Sequence, residues 1–230
     1  MENKTSKYFK YAIGEIILVV IGILIALHVN TWNEQRKSNL KERQYLESFK
    51  KDLEANVIEL QRVIEKTEQT SKSSDSILQF KTGKLEALSL KEFVSCALNA
   101  TGFTVFQTQE GTIQDIVGSG KLDIITNDSI RLVIGSWDAG LKSIREWEDL
   151  DKNSSTTYIE YLNQHTDTYK ISFQNLPVDE DIMNDLIIDR IFLNRIGNRK
   201  RLPTILNNLY KKAKPQLEAL IAQIDKELDK

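Results

Sequence analysis

Few side chains in this 230-residue sequence stand at spacings that chemistry requires. Gly118-Ser119-Gly120-Lys121 has the composition of a phosphate-cradling loop, but that loop needs Gly at 115 and Ser or Thr at 122, where Asp115 and Leu122 stand. The run therefore reads as a glycine turn that ends a helix and redirects the chain. His28 and His165 are the only histidines, and neither has a second ligand at helical spacing to suggest a metal. Cys96, the single cysteine, rules out an intramolecular disulfide. With no nearby basic group to activate it, Cys96 reads as a structural thiol. Asp149/Asp151 and Asp179/Asp181 fit loop or cap carboxylates. The basic stretch Arg195 to Arg201 fits a solvated surface as well as it fits lipid headgroups. No catalytic constellation, cofactor motif or metal set emerges, and a hydrolase would need a nucleophile and base brought together from distant positions.

Glu15 is the sharper candidate, because it stands inside an apolar run. Residues 12–29 read AIGEIILVVIGILIALHV, of which 14 of 18 are Ala, Val, Ile or Leu. Eighteen helical residues span about 27 Å, close to the hydrocarbon thickness of a bilayer. Tyr8, Phe9 and Tyr11 before the run and Trp32 after it match the interfacial aromatic belt. The end of the run, Ala26-Leu27-His28-Val29, lacks a small-x-small cleavage site, so an uncleaved anchor is preferred to a signal peptide. Two readings of Glu15 stand side by side: a charge paired with Lys7, Lys10 or a partner helix, and a carboxylate tolerated at the headgroup boundary. Gly22-x-x-x-Ala26 would let a second span approach closely.

The elements that must carry these residues are helical. Neither Gly nor Pro occurs between Ile23 and Thr82. Leu46, Phe49, Leu53, Val57, Leu60 and Ile64 recur at steps of three and four, which predicts an amphipathic helix continuous with the span and running to about Gln69. The Ser/Thr-rich run 70–76 is expected to end it. A second helical region is expected over 77–100, with Ser89-x-x-Glu92 as a capping box. Residues 101–108 form either a short strand or a buried loop. Asn127 or Asp128 should cap the next helix, which carries Ile130, Val133, Ile134, Trp137, Leu141, Ile144 and Trp147 on its inner face. The polar patch 151–157 is expected to interrupt the chain, as is Leu176-Pro177, and 185–196 to form a further helix. Leu206, Leu209, Ala213, Leu217, Leu220, Ile224 and Leu228 mark a C-terminal helix, with Pro215 either kinking it or opening its last segment. The fold class is therefore all-α. A basic and aromatic flank (1–11) leads to a transmembrane helix (12–29), a stalk helix (30–70) and a helical domain (71–230) whose C-terminal helix packs antiparallel on the stalk.

Two segments carry a family resemblance. Tyr11-Ala12-Ile13-Gly14-Glu15-Ile16, continuing through Gly22 to Leu27 and on to Asn30 and Trp32-Asn33-Glu34, resembles the N-terminal signature of domain of unknown function family 6090. Ser119-Gly120-Lys121-Leu122, followed by Ile125, Asn127-Asp128 and Ile130-Arg131, resembles the family's central segment. The resemblance implies a bacterial single-pass membrane protein of the Bacteroidota and brings no catalytic residues with it.

Composition sets the functional frame. A formal charge of −2, from 31 Lys and Arg against 33 Asp and Glu, argues against a nucleic-acid partner. Long domains translocate largely regardless of charge, whereas exporting a lysine-bearing N-terminus is disfavoured. That predicts a cytoplasmic N-terminus and a periplasmic domain at the inner membrane. The expected function is a non-enzymatic interaction or structural module with the lipid bilayer, and a second copy or a membrane protein, as partners. The alternatives are a ligand-sensing module built around residues 119–131 and, behind it, an unrecognised hydrolase.

Overall fold

The computed structural model describes the backbone of residues 3–173 and 180–230, and the side chains of residues 13–168, 170, 171 and 180–230. The described residues are helical with no strand: α1 (Asn3–Lys81), α2 (Leu90–Asn99), α3 (Gly111–Gly118), a 3₁₀ turn (Leu122–Ile124), α4 (Asp128–Gly135), α5 (Trp137–His165), α6 (Thr168–Phe173), α7 (Glu180–Ile188) and α8 (Arg190–Leu228). The expected break at Leu176-Pro177 lies outside the described residues.

The long apolar N-terminal helix packs against the C-terminal helix in antiparallel register. Arg43 Nη1 donates to Leu228 O at 2.8 Å, Lys50 meets Asp225 at 2.6 Å and Lys200 meets Asp75 at 2.6 Å. Helix α5 runs alongside, parallel to α1, with Phe49 edge-on to Trp137 at one end and Tyr158 donating to Ala97 O near the other. A strap without regular structure, residues 102–110, lies against α1 and α5. Its side chains alternate, Thr104 and Phe106 buried and Phe103 and Val105 exposed, as extended backbone requires. The strand-or-loop alternative for 101–108 resolves as a loop of extended backbone without a partner strand. Side chains supply the missing ladder. Asn56 Nδ2 donates to Gln109 O at 3.0 Å, and Asn56 Oδ1 accepts from Gln109 N at 2.6 Å. Asp52 accepts from Thr112 N, and Glu148 accepts from Phe106 N at 2.8 Å.

Four sequence expectations are corrected. First, α1 does not end at Thr70–Ser76 but runs on to Lys81. Thr67 and Ser74 turn their hydroxyls back onto the carbonyls four residues earlier, at 2.7 and 2.9 Å, so they are satisfied inside the helix. The helix expected over 77–100 is accordingly the end of α1, a loop and α2. Second, the 151–157 patch does not interrupt α5, because Asp151 and Ser155 are buried with partners of their own. Third, 185–196 is two helices. Asp189 caps α8, accepting from Ile191 N and Phe192 N, and so marks the end of α7. Fourth, the inner-face helix from 128 is split at Ser136 into α4 and α5, although Ile130, Ile134, Trp137, Leu141 and Ile144 are all buried as the spacing predicted. Pro203 and Pro215 both lie inside α8.

The cap and turn expectations hold. Ser89 and Glu92 form the reciprocal capping box, and Asn127 caps α4. Gly120 adopts φ +68 after α3, and Lys121 N donates to Ile116 O across the turn, closing the helix end.

Buried side chains form two apolar clusters. One contains Leu46, Leu53, Leu60, Ile116, Trp137 and Ile224; the other, at the far end, contains Ile77, Phe93, Tyr158, Phe192 and Ile196. Between them lies a buried polar layer: Thr67, Thr70, Ser74, Glu148, Asp151, Ser155, Arg199 and Asn207.

Candidate functional site

The apolar N-terminal segment is the first candidate. From Ile13 to Val29 every side chain is exposed, and this is the one helix among the described residues long and apolar enough to cross a membrane, with a mean hydropathy of 2.3. Helical spacing of 100° per residue puts Glu15, Gly22 and Ala26 within about 40° of one another. The same spacing sets that face roughly opposite the stripe that begins at Leu46. A Cβ added at Gly22 would meet nothing within 4 Å, so no contact inside the chain accounts for the glycine. Trp32 is exposed on a different side of the helix. The side chains of Tyr8 and Tyr11 lie outside the described residues. Beyond the apolar segment, the first contacts of α1 with the rest of the chain come at Glu42, which accepts from Thr126, and at Arg43, and its first buried side chain is Leu46. The neck before them, residues 30–41, is about 18 Å long at 1.5 Å per residue.

The second candidate is the polar layer. Arg199 is wholly buried, and its guanidinium gathers four acceptors. Nε donates to Ala100 O at 2.8 Å and Nη2 to Gly102 O at 2.6 Å, while Nη1 donates to Asp151 O at 2.9 Å and Asp151 Oδ1 at 2.5 Å. It thereby supplies the end of α2 with the cation that a helix C-terminus favours and ties the strap to α5 and α8. Ser155 donates to Thr101 O. Gly102 is tightly enclosed here: a Cβ would stand 3.2 Å from Lys66 Cε and 3.3 Å from Asn99 O. Burial pushes the Asp151 carboxyl above its ordinary range, opposed by the Arg199 charge. One helical turn earlier, Glu148 Oε1 accepts from both Phe106 N and Tyr210 OH, the latter at 2.6 Å. Burial likewise raises Glu148, with both hydrogen bonds acting against the rise. Two readings are corrected here: Asp151 is a mid-helix ion-pair partner rather than a loop or cap carboxylate, and Arg199 is interior rather than surface.

The other sequence candidates have structural tasks. His165 stacks on Tyr161 at 4.0 Å between ring centroids, and its Nδ1 lies 2.9 Å from Tyr161 O. Burial pushes the Cys96 thiol upward, away from the reactive thiolate. Ser119 Oγ donates to Ile116 O, Thr126 Oγ1 to Glu42 and Asn127 Nδ2 to Glu227, and Arg131 reaches Ile125 O and Asp128, so these four polar side chains of 119–131 are engaged within the chain. Asp179 lies outside the described residues, and Asp181 stands in the first turn of α7. Among the described residues no three His, Cys, Asp or Glu side chains gather closely enough to hold a metal.

A family model described as a family of unknown function, DUF6090, matches residues 15–195. The chain belongs to that family. No curated protein and no solved structure matches it. The DUF6090 match takes in most of the apolar segment, the neck, the strap and the Glu148–Asp151 turn of α5. It stops at residue 195, short of Arg199 and Tyr210, so the partners of those two carboxylates lie beyond it.

Proposed function

We propose that this member of DUF6090 is a single-pass, membrane-anchored interaction module of a bacterial inner membrane. In this reading the bilayer takes residues 12–29, the N-terminus is cytoplasmic and the helical domain periplasmic. The observation that carries it is the wholly exposed apolar surface from Ile13 to Val29, in a helix whose apolar stripe beyond Leu46 is buried. Seventeen helical residues of that kind, about 26 Å long, have no other place to bury their side chains. The neck then holds the domain off the headgroups and leaves room for a protein partner beside it. Within the bilayer, the Gly22–Ala26 face points away from the domain-packed side of α1, so a second copy or another membrane protein can reach it unobstructed.

Fractionation of cells expressing the full chain and a variant lacking residues 1–33 tests the anchor. The full chain should resist alkaline extraction, and the truncated chain should be soluble and mainly helical. A truncated chain that still sediments with membranes overturns the reading. A C-terminal reporter active only in the cytoplasm would overturn the orientation.

A further inference from the structure

The apolar core nearer the neck is not closed on all sides. Phe106, Trp137, Leu141, Ile144 and Leu220 each keep 7–8% of their surface, whereas Leu53, Leu60, Ile116 and Ile130 in the same core keep none. All five meet in one groove between α5 and α8, with a volume of about 500 Å³, inside the range of small-molecule sites. Its α5 rim is built from Ser136, Gly140 and Ser143, its α8 rim from Lys212 and Gln216. The small residues on the α5 side leave the core reachable; a Cβ on Gly140 would meet nothing within 4 Å. Lys212 is the one charged residue lining the groove. Other α8 lysines have partners, Lys211 with Glu68 and Lys214 with Gln61, but among the described residues Lys212 pairs with no carboxylate.

We infer that this groove binds a fatty-acid-like amphiphile, its hydrocarbon chain laid over Trp137, Leu141 and Leu220 and its single carboxylate at Lys212. An apolar floor without a polar acceptor selects an alkyl body. A lone uncompensated ammonium at the rim, flanked by hydroxyl and amide donors, selects one anionic head rather than a zwitterion or a cation. The site lies in the helical domain, so occupancy does not depend on whether residues 12–29 insert in a bilayer.

The test is photolabelling of the full chain in membranes with a diazirine-bearing palmitate analogue below its micelle concentration, with adducts mapped by mass spectrometry. Adducts are expected on residues 137–144 and 213–220, and unlabelled palmitate should suppress them where an equal-length alkylammonium does not. Gly140→Leu starts from a Cβ that meets nothing within 4 Å, adds bulk to the groove and should cut groove adducts about tenfold, with helicity by circular dichroism unchanged. Lys212→Glu should cut them about as far, and Lys212→Arg should restore them. Ala213→Leu gives a second blocking variant if Gly140→Leu loses helicity. The proposal is overturned by adducts confined to residues 13–29, by labelling indifferent to the blocking variants, by equal competition from the alkylammonium, or by a protein helix cross-linked in the groove instead.

Discussion

Replacing Arg199 by methionine should be among the most damaging single changes in the domain, and its size can be worked from the geometry. The substitution keeps an unbranched, apolar stem but removes every donor. Ala100 O and Gly102 O, bonded at 2.8 and 2.6 Å, lose their principal partner at about 1–3 kcal/mol each. Asp151 loses its counter-ion in a site with almost no solvent, and breaking such a pair from one side costs about 3–5 kcal/mol. Overlap between these effects leaves an expected loss of about 5 kcal/mol, or about 10–20 °C in Tm for a chain of this size. Adding Asp151→Asn removes the stranded charge and should recover about 2 kcal/mol, but the two carbonyls stay unpaired, so the double variant remains well below the parent. The pH dependence has a definite sign. Burial already holds the Asp151 carboxyl above its unfolded value, and losing Arg199 raises it further. A carboxyl raised in the folded state stabilises most below its unfolded pKa, and that contribution is lost as pH rises through the folded value. The Arg199→Met deficit should therefore be smaller in mild acid than at neutral pH. Thermal unfolding by circular dichroism at both pH values, on both variants and the parent, checks this. A double variant as stable as the parent would refute the role of Arg199 in holding the strap carbonyls. A deficit of under about 1 kcal/mol would refute the buried pair altogether.

Two further outcomes follow from neighbouring features. Glu148→Gln preserves an acceptor for both Phe106 N–H and Tyr210 O–H and should change stability by less than about 1 kcal/mol at neutral pH, whereas Glu148→Ala strands both donors and should cost about 2–6 kcal/mol, read by denaturant unfolding. Gly120→Ala forces a side chain into positive φ at the end of α3 and should cost about 1 kcal/mol, while the open, ordinary helical position Gly118→Ala should cost nothing in the same melt.

The apolar stripes of α1 and α8, and their pairing, were legible in the sequence because burial of one helix face leaves a period that survives in the residue types. The capping box at Ser89 and the turn at Gly120 were legible for a similar reason, since both are set by contacts within a few residues. What escaped was the polar layer. The Ser/Thr run at 70–76 and the patch at 151–157 both have the composition of chain breaks, and Arg195 to Arg201 has that of a surface. They are instead sides of one interior region, where small hydroxyls on α1 leave room for the Gly102 strap and where Asp151 meets Arg199. A polar residue is tolerated inside only through a partner, and the partners of Arg199 lie 48 residues or more away. No local pattern carries that information. The one local hint was Gly102 itself, a glycine in an otherwise β-branched and aromatic run, which marks a close backbone approach. The groove between α5 and α8 was equally hidden, because its openness depends on Gly140 and Ser143 facing Ala213 across two helices.

Helix α1 enters the domain core without a joint, and that has a mechanical consequence. No Gly or Pro interrupts it between Gly22 and Gly83, so the apolar segment and the far end of the domain belong to one stiff rod. From Val29 to Lys81 that rod is about 78 Å long. Whatever holds residues 13–29 thus sets the bearing of everything above them: a change of tilt of about 10° swings the far end by about 14 Å, and a turn about the rod axis carries α8 and the groove around by the same angle. A flexible tether would have let the domain tumble freely. This one makes its heading a readout of how its base is seated.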